Sequence, residues 1–465
     1  MRRYSYIFVF LLLSLVGCMS NTDTIVTSSE TRVQTFTFYE DTTNRGLTEM
    51  TYIIEHFIEP LSDTGRIYCK DSLPFGTRLD SVVPYVTYKA TPALAKYCFP
   101  DTVIISTGAD TLDFTKHPDS IFLYVLSSDM NEERWYHLDI YAHQSDPYLY
   151  VWEQLTDQIF KPQNCKMKVF YGNEKLHLYV NNGFQTQLYQ SSDGSSWSLV
   201  SNAPLGLPSS CSVRDILQHG TSLYYVEGDQ LYMSDDMVQW TATDFSDKEY
   251  GLVNMLMAFH DKPWCILQDS VSKNLFLGIV QEGDIHPVTS IYGLNNGILP
   301  SNFPISDFAS LSIKSSSERP RAMVVGGRSL DGTPVNTRWN FEYETPTNSE
   351  NMPSAGYRVV DFSIEQPTFH SLTGMSIIQY NDHLIMFGGV DNDMEYRSDI
   401  LYSDDEGMHW YVPDTAQNRL PETYQSRQQQ TVVVDSEDNI YIIGGQTNTQ
   451  TFSDVYRGYL NSMKW

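Results

Sequence analysis

The chain predicts an all-β protein, and three observations carry that prediction. Aromatic residues make up 13% of its 465 residues, 31 of them tyrosines. Apolar residues fall in many short runs broken by Gly, Asn, Asp and Ser rather than in long amphipathic stretches. Beyond residue 148 a strand–turn–strand pattern recurs with a period of roughly forty to fifty residues, which in a β-rich chain points to a propeller. No helix is expected after the first twenty residues. The length calls for two domains, one of them large.

The first eighteen residues read as an export and attachment signal. Arg2 and Arg3 form a basic start, Tyr6 to Val16 an apolar run too short to span a bilayer, and Leu15-Val16-Gly17-Cys18 resembles the bacterial lipobox. The resemblance implies cleavage after residue 17 and acylation of Cys18, so the expected address is the bacterial cell envelope. There the protein would be an outer-membrane lipoprotein facing the periplasm or the surface, with the membrane as a partner through the lipid alone. Residues 18–34, polar and rich in Ser and Thr, read as a flexible tether.

A formal charge of −27, from 30 basic and 57 acidic residues, makes nucleic acid an unsuitable partner and excludes electrostatic attachment to anionic surfaces. Five cysteines follow Cys18, and an odd number in an exported chain leaves at least one thiol unpaired. Cys69 and Cys98 share the N-terminal domain, where either a bridge or two buried thiols would fit. No C-x-x-C pair or His/Cys spacing implies a metal, and no cofactor motif is present.

Residues 35–148 alternate apolar and polar positions, as in Phe36 with Phe38 and Val103 with Ile105, between turn signals such as Asp63-Thr64-Gly65 and Gly108-Ala109-Asp110. This predicts a β-sandwich. Asp71-Ser72-Leu73-Pro74-Phe75-Gly76-Thr77, Leu112-Asp113-Phe114-Thr115 before Pro118, and Tyr136 to His143 resemble the immunoglobulin-like modules of Bacteroidetes lipoproteins. Trp135, Leu138 and Ile140 are expected in its core.

Residues 149–465 form the propeller. Six blades can be laid out, with first strands starting near Lys168, Asp215, Asn254, Phe308, Gly374 and Gln430. Gly326-Gly327, Gly388-Gly389 and Gly444-Gly445 each end an apolar strand and resemble the glycine pairs of kelch repeats. Ser403 to Trp410, with Asp405 and Gly407, resembles the Asp-box of sialidase-like propellers. A shorter copy holds Asp193 and Trp197, and one without its glycine holds Asp236 and Trp240. An aspartate accepting backbone N–H groups, a glycine with positive φ and a tryptophan folded onto the loop make a self-contained hairpin, so these are structural residues. The last blade reads as one strand short, and Val151-Trp152-Glu153-Gln154-Leu155-Thr156 has the pattern of the missing strand. Pairing the two would close the ring without an open edge.

No catalytic residues emerge. A sialidase-like hydrolase would need an arginine triad beginning with Arg-Ile-Pro, yet there is no arginine between Arg134 and Arg214 and no such motif anywhere. The expected function is a non-catalytic binding or scaffold propeller for a glycan or an envelope protein, with a carbohydrate-active hydrolase or lyase as the alternative. Taken whole, the chain resembles uncharacterised Bacteroidetes lipoproteins in which an immunoglobulin-like module precedes a kelch/Asp-box propeller.

Overall fold

The computed structural model describes residues 27–57, 64–117, 119–143, 146, 149–314, 319–344, 356–413 and 420–461. It divides into two compact units, residues 1–147 and 148–465. Among the described residues the only helical elements are two single 3₁₀ turns, so the fold is all-β.

The first unit contains β1 (Val33–Phe38), β2 (Tyr52–Glu55), β3 (Thr64–Cys69), β4 (Pro84–Tyr88), β5 (Leu94–Cys98), β6 (Val103–Ile105), β7 (Phe122–Leu126) and β8 (Glu133–Asp139). β1 and β4 pair as a ribbon, and the other six form one sheet in the order β2-β3-β8-β7-β5-β6. All its pairs are antiparallel except β3 with β8. Ribbon and sheet share a core in which Phe36 and Phe38 meet Ile67, Tyr97, Leu123 and Leu138. β1 begins at Val33 and Thr31 is already buried, so ordered structure starts inside the stretch read as tether. The Ser/Thr composition that suggested a flexible segment hides a strand edge. Leu138 and Ile140 are fully buried as expected, but Trp135 is not. It lies on the opposite face of β8, where its ring meets Tyr124 at 4.8 Å and Phe122 at 6.3 Å. A strand's period of two separates it from Tyr136, Leu138 and Ile140. Cys69 and Cys98 are unbridged thiols, and burial raises the pKa of both.

In the second unit β9 (Tyr150–Thr156) precedes a series of antiparallel meanders. The first sheet takes β10 (Lys166–Gly172), β11 (Lys175–Asn181), β12 (Thr186–Ser191) and β13 (Ser198–Leu199). The second takes β14 (Leu217–His219), β15 (Ser222–Glu227), β16 (Gln230–Ser234) and β17 (Thr241–Asp244). The third takes β18 (Tyr250–Phe259), β19 (Lys262–Asp269), β20 (Leu275–Gln281) and β21 (Asp284–Val288). The fourth takes β22 (Ala309–Ile313), β23 (Arg321–Val325), β24 (Arg338–Glu344) and β25 (Gly356–Asp361). The fifth has three strands, β26 (Ser376–Tyr380), β27 (His383–Phe387) and β28 (Leu401–Ser403), extended by a bridge from Tyr402 to Tyr411. The sixth takes β29 (Thr431–Val434), β30 (Ile440–Gln446) and β31 (Thr451–Leu460), and its fourth strand is β9.

That last pairing is the one expected of the Val151 to Thr156 segment. Tyr150 opposes Leu460, and Trp152 opposes Gly458. The Trp152 ring lies over Gly458 where any Cβ would collide with it, so the glycine makes room for the tryptophan.

The apolar core of this unit lies between sheets rather than within them. Separate clusters join the first sheet to the second (Phe170 with Leu223), the second to the third (Val226 with Met255), and the third to the fourth (Trp264 with Phe341). Others join the fourth to the fifth (Met323 with Met386), the fifth to the sixth (Ile385 with Ile442), and the sixth back to the first (Ile443 with Leu178). Backbone contacts reinforce this at the glycine pairs. Gly388 and Gly389 adopt φ of 59° and 98°, and the Gly389 N–H donates to the Arg427 carbonyl at 3.1 Å. A Cβ on Gly388 would sit 2.6 Å from that same carbonyl oxygen. Only glycine allows the approach.

Candidate functional site

The innermost strand of every sheet lines a central channel with a cavity of about 460 Å³. Its walls alternate apolar side chains such as Leu256, Leu311 and Ile378 with polar ones; Lys168, Arg214, Asp215 and Asp307 lie where the inner strands begin, and Gln218, Ser312, Lys314 and Gln379 toward their other ends. At or just before the start of the inner strands stand polar or charged groups, among them Lys168, Asp215, Ser376 and Gln430.

These groups form a belt that links each inner strand to the next. Lys168 Nζ donates to the carbonyls of Arg214 (2.7 Å) and Ile216 (2.6 Å). Asn254 Nδ2 donates to Asp215 Oδ1 at 3.2 Å and to the Ile305 carbonyl at 3.0 Å. The Gly374 N–H donates to the Asp307 carbonyl at 2.9 Å, the Ser376 hydroxyl to the Gln430 carbonyl at 2.8 Å, and the Val169 N–H to the Thr431 hydroxyl at 3.0 Å.

Within the belt two cations and two anions behave differently. Asp307 accepts from Gln429 Nε2 at 3.2 Å and pairs with Arg328 at 3.4 Å, while Asp215 accepts from Asn254. Arg214 donates through one Nη to the Gln429 carbonyl at 2.9 Å. Among the described residues neither Lys168 nor Arg214 forms an ion pair. Burial, and then the neighbouring Arg214, pull the Lys168 ammonium down to about 8, with Asp215 opposing the shift. Burial likewise lowers the pKa of Arg214, against the pull of Asp307 and Asp215.

The residues singled out in the sequence lie elsewhere. Cys18 falls outside the described residues. Asp193 accepts the N–H groups of Ser195 and Ser196, both at 2.8 Å, and Trp197 Nε1 donates to the Gly194 carbonyl at 2.8 Å. The Ser196 N–H does most to hold the Asp193 carboxyl below its ordinary range, against burial. Asp236 accepts from Val238 and Gln239 at 2.8 and 2.7 Å. In its loop Met237 takes the positive φ, 59°, that glycine would otherwise supply, and is fully buried. Asp405 accepts from the His409 N–H at 2.9 Å, and the Gly407 N–H donates to the Ser403 hydroxyl at 2.8 Å.

The three tryptophans share a further feature. Trp197 joins the cluster between the sixth and first sheets, Trp240 that between the first and second, and Trp410 that between the fourth and fifth. Each loop thus wedges its ring against the preceding sheet, away from the channel. Among the described residues no group of His, Cys, Asp and Glu is arranged to hold a metal.

Sheets in meander succession around a channel, packed one on the next with the last on the first, define the second unit as a β-propeller following a smaller β domain. Residues 146–465 match the DUF6242 beta propeller domain, and residues 21–140 match the DUF6242 N-terminal domain, a domain of unknown function. The chain belongs to this family. No curated protein matches it.

Proposed function

We propose that this protein is a lipid-anchored envelope protein of the Bacteroidetes type, whose six-bladed kelch/Asp-box propeller binds a partner without catalysing a reaction. One observation carries the binding reading: exposed apolar side chains gather at one end of the propeller. Phe184, Val271, Leu330 and Met394 cap the turns between second and third strands of four sheets, with Phe184 88% and Val271 93% exposed. Ile364, 78% exposed, follows the fourth strand of the fourth sheet. In a meander these turns share an end with the starts of the inner strands, so the apolar tips surround the polar belt. The turns at the opposite end carry residues such as Glu174, Asp261, Glu282, Asp382 and Asp438, and among the described residues no large apolar side chain is exposed on them. Segregation of this kind marks an interaction face.

The acids of the channel suit catalysis poorly. Asp307 is taken up by Arg328 and Gln429, and Asp215 by Asn254, so neither carboxylate stands free for a substrate. Four of the five tips are non-aromatic, Phe184 being the exception, and this balance favours an envelope protein over a glycan, because sugars stack best on aromatic rings. The parallel β3–β8 pair and the β8-β7-β5-β6 order support an immunoglobulin-like module, here extended by β1 and β2.

The face is tested with the double variant V271S/I364S. It should keep its melting temperature within about 2 °C, both sites being exposed, and lose retention of envelope proteins by at least tenfold. Unchanged retention would remove the face assignment. The anchor is tested separately: Cys18→Ser should yield uncleaved precursor or soluble protein, and mature protein still partitioning into detergent would refute it.

A further inference from the structure

We propose that the channel entrance receives a single carboxylate, the chain terminus of a protein partner, between Lys168 and Arg214. The inference rests on the reading of this end as the binding face and adds the group that the partner must present.

Two neighbouring cations stand half-buried in one channel without an ion pair, while both nearby acids are engaged by Asn254, Gln429 and Arg328. Like charges so placed repel each other and lose hydration, a cost that a bound anion offsets. Donor capacity remains for that anion. Two of the three N–H groups of Lys168 are used, and the five-donor fork of Arg214 gives one hydrogen bond to the Gln429 carbonyl. Lys168 also lies 5.8 Å from the Phe170 ring centroid, and Asp215 acts on it through space without forming an ion pair.

The anion's charge follows from its surroundings. At the entrance Lys168, Arg214 and Arg328 stand against Asp215 and Asp307, with Lys314 at the other end of β22, so a monoanionic carboxylate balances the entrance set and a dianion such as phosphate leaves it net negative. Its carrier follows from shape and rim. The cations sit between inner strands rather than on the outer surface, within reach of a narrow extended chain end. Around the entrance, Val271, Leu330, Ile364 and Met394 offer aliphatic contacts suited to protein side chains.

The test uses the full chain in detergent, titrated with a mixture of N-acetyl tetrapeptides bearing free carboxyl termini. The same mixture with amidated termini, and glucuronate, serve as separate arms. Acid peptides should bind at least tenfold tighter than amides. The preference should fade as pH rises through about 8, because the depressed Lys168 pKa means the ammonium charge is lost there. Arg214→Gln and Lys168→Met should each abolish the preference. Should either variant fail to fold, the wild-type acid-to-amide ratio and its pH profile decide alone. Equal binding of acids and amides, or a preference kept by both variants, overturns the proposal. Binding of glucuronate without acid peptides would overturn the assignment to a protein terminus. If acid preference is absent while V271S/I364S still loses envelope retention, the binding face stands and only the carboxylate falls.

Discussion

A chain beginning at about residue 161 is expected to aggregate, whereas one beginning at about residue 148 should elute as a single monodisperse species with a cooperative thermal transition. The difference is β9. Its pairing from Tyr150–Leu460 to Thr156–Val455 occupies the outer edge of β31. Without it that edge presents free N–H and C=O groups over a strand of ten residues, and exposed strand edges template association. Losing β9 also removes Tyr150, buried in the cluster between the fifth and sixth sheets, and Trp152, which packs on it. The comparison is a size-exclusion profile and a melt of both chains at equal concentration. Equal solubility and equal melting temperatures would show that β31 does not need its partner.

Arg427→Ala should cost about 3–5 kcal/mol of unfolding free energy, the range for leaving a buried ion partner uncompensated. Arg427 is 1% exposed. Its Nη1 donates to Asp454 Oδ1 at 2.6 Å and to the Gly444 carbonyl at 3.1 Å, and its Nε to the Gln425 carbonyl at 2.7 Å. The guanidinium lies 3.7 Å from the Phe452 ring centroid and 4.4 Å from that of Tyr424. Burial raises the pKa of Asp454 even with Arg427 in place. A carboxyl whose folded pKa is raised favours the fold when protonated and loses that contribution as pH rises through the folded value. The deficit of Arg427→Ala should therefore shrink on acidification and be largest at neutral pH. Urea titrations at pH 7 and at about pH 5 measure both. A loss below about 1 kcal/mol, or one independent of pH, would mean that water reaches Asp454.

How much of this was legible in the sequence depends on how local each feature is. Asp193, Asp236 and Asp405 cap turns with partners two to four residues away, so their motif is complete within one loop. The glycine pairs were legible for a different reason: a backbone approach excludes every side chain, and the exclusion leaves glycine in the sequence itself. β9 could be inferred because it had strand pattern but no repeat of its own. The belt could not. Lys168, Arg214 and Gln429 are brought together by the ring, and no spacing in the chain encodes that. The sequence carries a trace of it nonetheless in the charged or amide residues at the starts of inner strands, among them Lys168 and Asp215. Trp135 departs from its expected core position because alternation with the buried Tyr136, not apolar character, sets its face of β8.

The strand that completes the sixth sheet also imposes an order of events. Glu153 and Arg457 stand 304 positions apart, and a chain made from its amino end emits β9 before any of the sheets it must wait for. Its partner is the final strand. Closing so long a loop carries an entropic cost that grows only as the logarithm of its length, but the contact spans nearly the whole second unit, and such non-local pairing forms slowly. The first five sheets can form as each hairpin emerges. The last step is then a single capture of an early segment by a late one, and it completes only once the whole ring has been synthesised.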